Sequence, residues 1–138
     1  MACSHCGTES TIAAAVPDDY REYAPESAAE VTICPHCLTV DPAPPAATDA
    51  RDDGDDPDFS RISGAFPARP ARAVPLALAL HLCGSLATNR DAIETLLRAV
   101  EREGTDPLLV IDRLAAEPTI EPAVDLERRR HQLEQLLY

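Results

Sequence analysis

The sequence predicts an α+β chain in three parts: a cysteine-bearing unit of short β-strands at 1–42, a Pro/Asp-rich acidic linker at 43–66, and a small α-helical domain at 67–138. Three observations carry that reading. Two Cys-x-x-Cys turns, "CSHC" and "CPHC", bracket β-compatible runs in the first third. From Asp41 to about Phe66 the chain turns to Pro, Asp, Ala and Gly, with almost no large apolar residue before Phe59. Beyond that stretch, apolar residues recur at helical spacing.

Taken in order, "TESTIAAAV" at 8–16 is a short β-compatible run stopped by Pro17. "PDDYREYAPES" follows as a turn with one or two helical turns. Pro17 stands where a first helical residue belongs, Asp18 and Asp19 suit the dipole there, and Pro25 ends the run. "AEVTIC" delivers a second strand into the second cysteine pair, and "LTV" continues out of it. Residues 43–58 offer too little apolar surface to offset their ordering entropy and read as a flexible linker, while Ile62 and Phe66 can touch a flanking unit.

Pro75 opens a first helix through "LALALHLCGSLA", which is apolar nearly all round and therefore central. Asn89 is placed to cap a second helix, with Asp91 in its first turn. Ile93, Leu96, Leu97 and Val100 share its face and Gly104 stands just past its end. Asp106-Pro107 starts "LLVIDRLAAE", closed by Pro118, with a buried strand over "LLVID" as the alternative. A last helix runs through "EPAVDLERRRHQLEQLL", with Ala123, Leu126, Leu133 and Leu137 along one side. Connections this short favour antiparallel neighbours.

With 138 residues, the chain has room for one domain, or for a very small one beside a small one. Two Phe, three Tyr and no Trp limit the core, so the first forty residues need a staple to hold together. The 24 acidic residues oppose 12 basic ones, all of them Arg, giving a net charge of −12. In dilute buffer that charge repels itself. At about 1 M salt the Debye length falls to roughly 3 Å and the repulsion is screened. A lysine-free, carboxylate-rich, alanine-rich chain therefore suits a strongly saline cytoplasm; the alternative is an acidic, interaction-prone protein of an ordinary cell. No secretory signal is visible, and the longest apolar stretch is broken by His81, Gly84 and Ser85. The expectation is a soluble cytoplasmic protein without a membrane partner. In that reducing compartment paired cysteines are more often metal ligands than disulfides.

Four cysteines in two pairs are what a tetrahedral zinc site asks for, with thiolates at about 2.3 Å. Cys3, Cys6, Cys34 and Cys37 are the candidate ligands of one structural zinc ion, the centre of a zinc ribbon. A Cys-x-x-Cys turn aims two sulfurs at one point, and Gly7 supplies the left-handed backbone that such a knuckle favours. The spacer of 27 residues exceeds the usual 15–20 and implies an insertion between the knuckles. His5 and His36 each occupy the second x of a pair, so a three-cysteine, one-histidine shell is the alternative; otherwise they are turn residues or meet a partner. Thiol–disulfide exchange fits less well, because two pairs are present and no βαβ unit. Catalytic zinc needs an open position that four thiolates do not leave, so neither a catalytic residue nor a further cofactor is expected.

Cys83 reads as a small buried core residue rather than a nucleophile. His81, two positions earlier, faces another side of the helix, and His131 reads as a surface residue. The one basic cluster, "ERRRH" at 127–131, reads as a solvated helix face paired with neighbouring Glu. Binding through about four phosphates would fall with salt at a log–log slope of roughly −3.6, which disfavours nucleic acid in a saline cell.

The stretches "CSHCG", "VPDDYREYAPESAAEVTICPHCLTVDPA" and "DRLAAEP…VDLERRRHQLEQLL" resemble a group of small haloarchaeal zinc-finger proteins of unknown function. The resemblance covers both ends and much of the helical middle. It implies knuckles of the Cys-Pro-x-Cys type, carried here by Cys3, Cys6, Cys34 and Cys37. Leu38 departs from the Gly that many such knuckles have at that place, which implies a less regular second turn. The resemblance brings no reaction and no partner. The functional expectation is thus a non-enzymatic zinc protein acting as an adaptor for another protein. A nucleic-acid-associated zinc ribbon and zinc or thiol redox handling are the alternatives.

Overall fold

In the computed structural model, which describes residues 3, 6, 7, 11–43, 58–122 and 125–137, three short strands build one antiparallel sheet in the order β1-β2-β3. They are β1 (Ile12–Ala15), β2 (Glu30–Ile33) and β3 (Val40–Pro42). Ile12 pairs with Ile33, and Ile33 with Val40. The period of two turns Ile12 and Ala14 inward, and Val16 continues the buried row. Most of the stretch read as a flexible linker, 44–57, lies outside the described residues.

The β1–β2 connection contains the insertion that the long spacer implied. It makes two 3-10 turns, Asp18–Tyr23 and Pro25–Ser27. Pro17 stands just before the first turn rather than within it. The reason is the sheet: the Val16 N–H still donates to Ala29 O at 2.8 Å, so the backbone stays extended through Pro17.

Four α-helices follow: α1 (Pro70–Leu82), α2 (Arg90–Arg102), α3 (Pro107–Ala115) and α4 (Leu126–Leu137). Helix α1 begins five residues earlier than Pro75 led us to expect. Pro70 takes the first-turn position, where a missing N–H costs nothing. Pro75 therefore lies inside the helix and cannot donate to the carbonyl of Ala71, which is at the surface. As its composition implied, α1 is central: residues 73–80 are all buried.

Helix α2 buries Ile93, Leu96, Leu97 and Val100. It ends where Gly104, at φ 94°, donates to Glu101 O while Thr105 donates to Val100 O, the paired bonds of a Schellman cap. Its start differs from the expected cap. Asn89 occupies the N-cap place, but its amide donates at 3.2 Å to Leu82 O at the end of α1. The "LLVID" stretch is helical, because Asp106 Oδ1 accepts from the N–H groups of Leu108 and Leu109 and starts α3. Helix α4 begins at Leu126, with Asp125 Oδ1 accepting from Arg128 N, and buries Leu126, Leu133 and Leu137. Ala123 lies outside the described residues.

Helix α1 packs chiefly on α2, α3 on α4, and β3 touches α1. Sheet and helices contribute to one apolar cluster, which includes Ile12, Val31 and Leu38 as well as Leu78, Leu97 and Leu133. The 3-10 turn Phe59–Arg61 adds Phe59, whose ring packs 6.1 Å from that of Phe66; both Phe of the chain are buried. Among the described residues no helix is long and apolar enough to cross a membrane.

Candidate metal centre

Strand pairing brings the cysteines together. The first pair precedes β1 and the second follows β2, and antiparallel pairing sets the start of β1 beside the end of β2. The two knuckles share a backbone signature: Gly7 N donates to Cys3 O and Leu38 N donates to Cys34 O, both at 3.0 Å. Gly7 has φ 79° and Leu38 φ 65°. Leu38 therefore takes the left-handed conformation despite its Cβ, at a cost of about 1–2 kcal/mol. Leu38 is only 7% exposed and joins the apolar cluster, which offsets that cost. The second turn is thus as regular as the first.

The sulfur atoms of Cys3, Cys6, Cys34 and Cys37 lie within 4.8 Å of one another. Cys3 Sγ is 3.6 Å from Cys37 Sγ, and Cys6 Sγ is 3.6 Å from Cys34 Sγ. Both separations far exceed a disulfide bond of about 2.05 Å. They match the edge of a tetrahedron with ~2.3 Å metal–sulfur bonds, which is about 3.8 Å. Cys3, Cys34 and Cys37 are buried and Cys6 is exposed. The four sulfurs can hold one metal ion.

Burial raises the Cys34 thiol, against the backbone N–H groups of Cys37 and His36, which point at its sulfur from 3.5 and 3.4 Å and favour the thiolate. Burial also pushes the Cys37 thiol up to about 12; the hydroxyl and backbone of Thr39 oppose the rise, and Cys3 and Cys34 add to it. Thr39 Oγ1 lies 3.1 Å from Cys37 Sγ. The N–H and hydroxyl groups around these sulfurs are set to share the negative charge of thiolates once a cation displaces their protons.

Sequence reasoning missed two features. Thr39 is visible in principle, as a hydroxyl two residues after the last cysteine. The other is a clasp between the second knuckle and the α3–α4 connection. His36 O accepts from Glu121 N at 2.8 Å, His36 Nδ1 lies 3.1 Å from Thr119 O, and His36 Nε2 lies 3.5 Å from a Glu121 carboxylate oxygen. Contacts across 83 residues leave no trace in local spacing. His36 is therefore engaged within the chain, and both ring nitrogens face the connection. His5 lies outside the described residues.

The remaining singled-out side chains sit apart from the sulfurs. Cys83 is fully buried in the 3-10 turn Cys83–Ser85, and burial pushes its thiol up to about 12, slightly opposed by Arg129. Burial lowers the His81 imidazole, with Asp41 opposing. His131 is exposed. In the basic cluster Arg130 lies 2.7 Å from Asp112 and 2.9 Å from Glu134; the Asp112 contact is between charges, its angle being poor for a hydrogen bond.

Fold and site together define a class: a small α+β protein whose three-stranded sheet carries two matched cysteine turns onto one potential metal site. The chain belongs to a family of unknown function (DUF6276), whose family model matches residues 2–137. No curated protein and no solved structure matches the chain.

Proposed function

We propose that the chain is a structural zinc protein of a saline cytoplasm, non-enzymatic, whose folded surface serves as an adaptor for another protein. The observation that carries the metal reading is the placement of four sulfurs within 4.8 Å at the meeting of two equivalent turns. An all-sulfur tetrahedral set selects zinc or an iron–sulfur centre, and zinc suits a single ion. Cys3, Cys6, Cys34 and Cys37 would hold it, and the engagement of His36 elsewhere favours four thiolates over three with a histidine. A closed shell leaves no position for water, so the ion acts on folding.

The saline setting is supported by the charge of −12 on a chain whose twelve bases are all Arg. The adaptor reading rests on the closed shell and on the absence of a recognisable catalytic constellation in the sequence. Against nucleic acid stands the use of Arg130 on Asp112 and Glu134. The test is elemental analysis of protein purified reduced, at high salt and without chelator, with one zinc per chain expected. Ordered protein without metal would sink the reading. Affinity capture from high-salt lysate is expected to recover one stoichiometric protein, and a mobility shift with nucleic acid at molar KCl would transfer the assignment to the nucleic-acid alternative.

A further inference from the structure

Between the segment entering α2 and one side of α4 lies a cavity of about 360 Å³. Leu86 and Leu136 supply apolar lining, and Arg90, Arg129, Gln132 and Gln135 supply the polar groups. No carboxylate lines it, in a chain where 24 acidic residues face 12 basic ones. Arg21, Arg98 and Arg130 each lie within 3.1 Å of a carboxylate oxygen. Among the described residues neither Arg90 nor Arg129 has such a partner. Arg129 instead donates to Gln132 Oε1 at 2.8 Å, which orients its guanidinium without neutralising it.

We propose that this cavity binds a small organic anion, its carboxylate or phosphate head held between Arg90 and Arg129 and its carbon skeleton lying on Leu86 and Leu136. Guanidinium groups only donate, and their forked N–H groups fit two oxygens of one head group at once. A cation or a purely apolar ligand would leave both arginines without a counter-charge. The volume is at the small end of ligand clefts, roughly 300–1,000 Å³, and suits a small molecule. The surrounding negative charge opposes a polyanion far more than a single head group. Two-point recognition of an oxyanion also discriminates against chloride, which matters where salt screens simple attraction.

Phenyl phosphate is the probe, titrated into the isotopically labelled full chain at constant KCl-matched ionic strength and followed through amide chemical shifts. Saturable shifts are expected at residues 86–90 and 129–136. Inorganic phosphate should bind in the same place but more weakly, lacking a carbon skeleton, and benzoate should compete. Arg90→Gln and Arg129→Gln should each weaken binding roughly tenfold, the scale of one charge-assisted contact. Arg129→Lys, which keeps the charge without the fork, should fall between, and the thermal midpoint should stay put in all three. Shifts that are absent, that follow ionic strength alone, or that persist in the R90Q/R129Q double variant would overturn the proposal.

Discussion

The helices and the sheet both need to bury apolar surface, and they meet that need by different means. Helix α1 buries eight consecutive residues, 73–80, and α2 sets Ile93, Leu96, Leu97 and Val100 against it. The strands span only four, four and three residues, and their buried set is Ile12, Ala14, Val31, Thr32, Ile33 and Val40, with no side chain larger than Ile. Sheets this small are marginal alone. The sheet leans on the helices through the shared cluster, and where β1 starts and β2 ends it carries a second buried group made of Cys3, Cys34 and Cys37. Side-chain volume holds one region; convergent sulfur chemistry is positioned to hold the other.

The largest expected effect separates those two means of support. On the proposed zinc reading, Cys34→Ser, or a strong chelator, should empty the site and remove about 5 kcal/mol or more of the roughly 10–16 that a structural zinc ion can supply. Hydrogen exchange should speed at 12–16 and 30–34 while α1 and α2 keep their protection. Equal loss in both regions would erase the contrast between them.

Next in size is the converse. Leu97 is fully buried on α2, and Leu97→Ala should cost about 3 kcal/mol in urea unfolding, by lost burial plus the cavity left behind. Metal content per folded chain should not change.

Smaller changes probe the matched turns. Gly7→Ala places a Cβ with nothing within 4 Å, so its cost of about 1 kcal/mol should come from the left-handed backbone alone. Leu38→Gly relieves about 1 kcal/mol of strain but gives up about 2 kcal/mol of burial, for a net loss of about 1 kcal/mol. Denaturant midpoints decide both signs; a stabilised Leu38→Gly variant would mean that strain outweighs packing.

A last effect is confined to alkaline pH. Cys83 has its folded value raised from 9.0 to about 12, so above pH 9.0 the unfolded chain loses a proton that the folded chain keeps. Its contribution is complete below pH 9.0 and is lost as pH rises toward about 12. In metal-loaded protein, Cys83→Ala should flatten the alkaline fall in stability relative to the parent, and Cys83 should resist alkylation until the chain unfolds.

What was legible in the sequence had local causes. The spacing of Ile93, Leu96, Leu97 and Val100, the Gly104 cap, the Asp106-Pro107 start and the two cysteine pairs each depend on neighbours within a few residues. Pro75 misled because Pro70 could also open a helix and α1 tolerates the lost bond to Ala71. Asn89 misled because a carbonyl seven residues away, at Leu82, took its amide. The regular second knuckle was hidden too, since only the tertiary burial of Leu38 compensates its backbone. The His36 clasp and the Arg90–Arg129 cavity arise from packing of distant segments and have no local signature.

The clasp has a mechanical corollary. The turn at 34–38 shapes half of the sulfur cage and, through one carbonyl and one imidazole, also tethers the segment that leads into the last helix. Unwinding that turn must let go of both. The chain is thereby cinched into a ring without a covalent bond, one that joins the cage to residues more than eighty positions downstream.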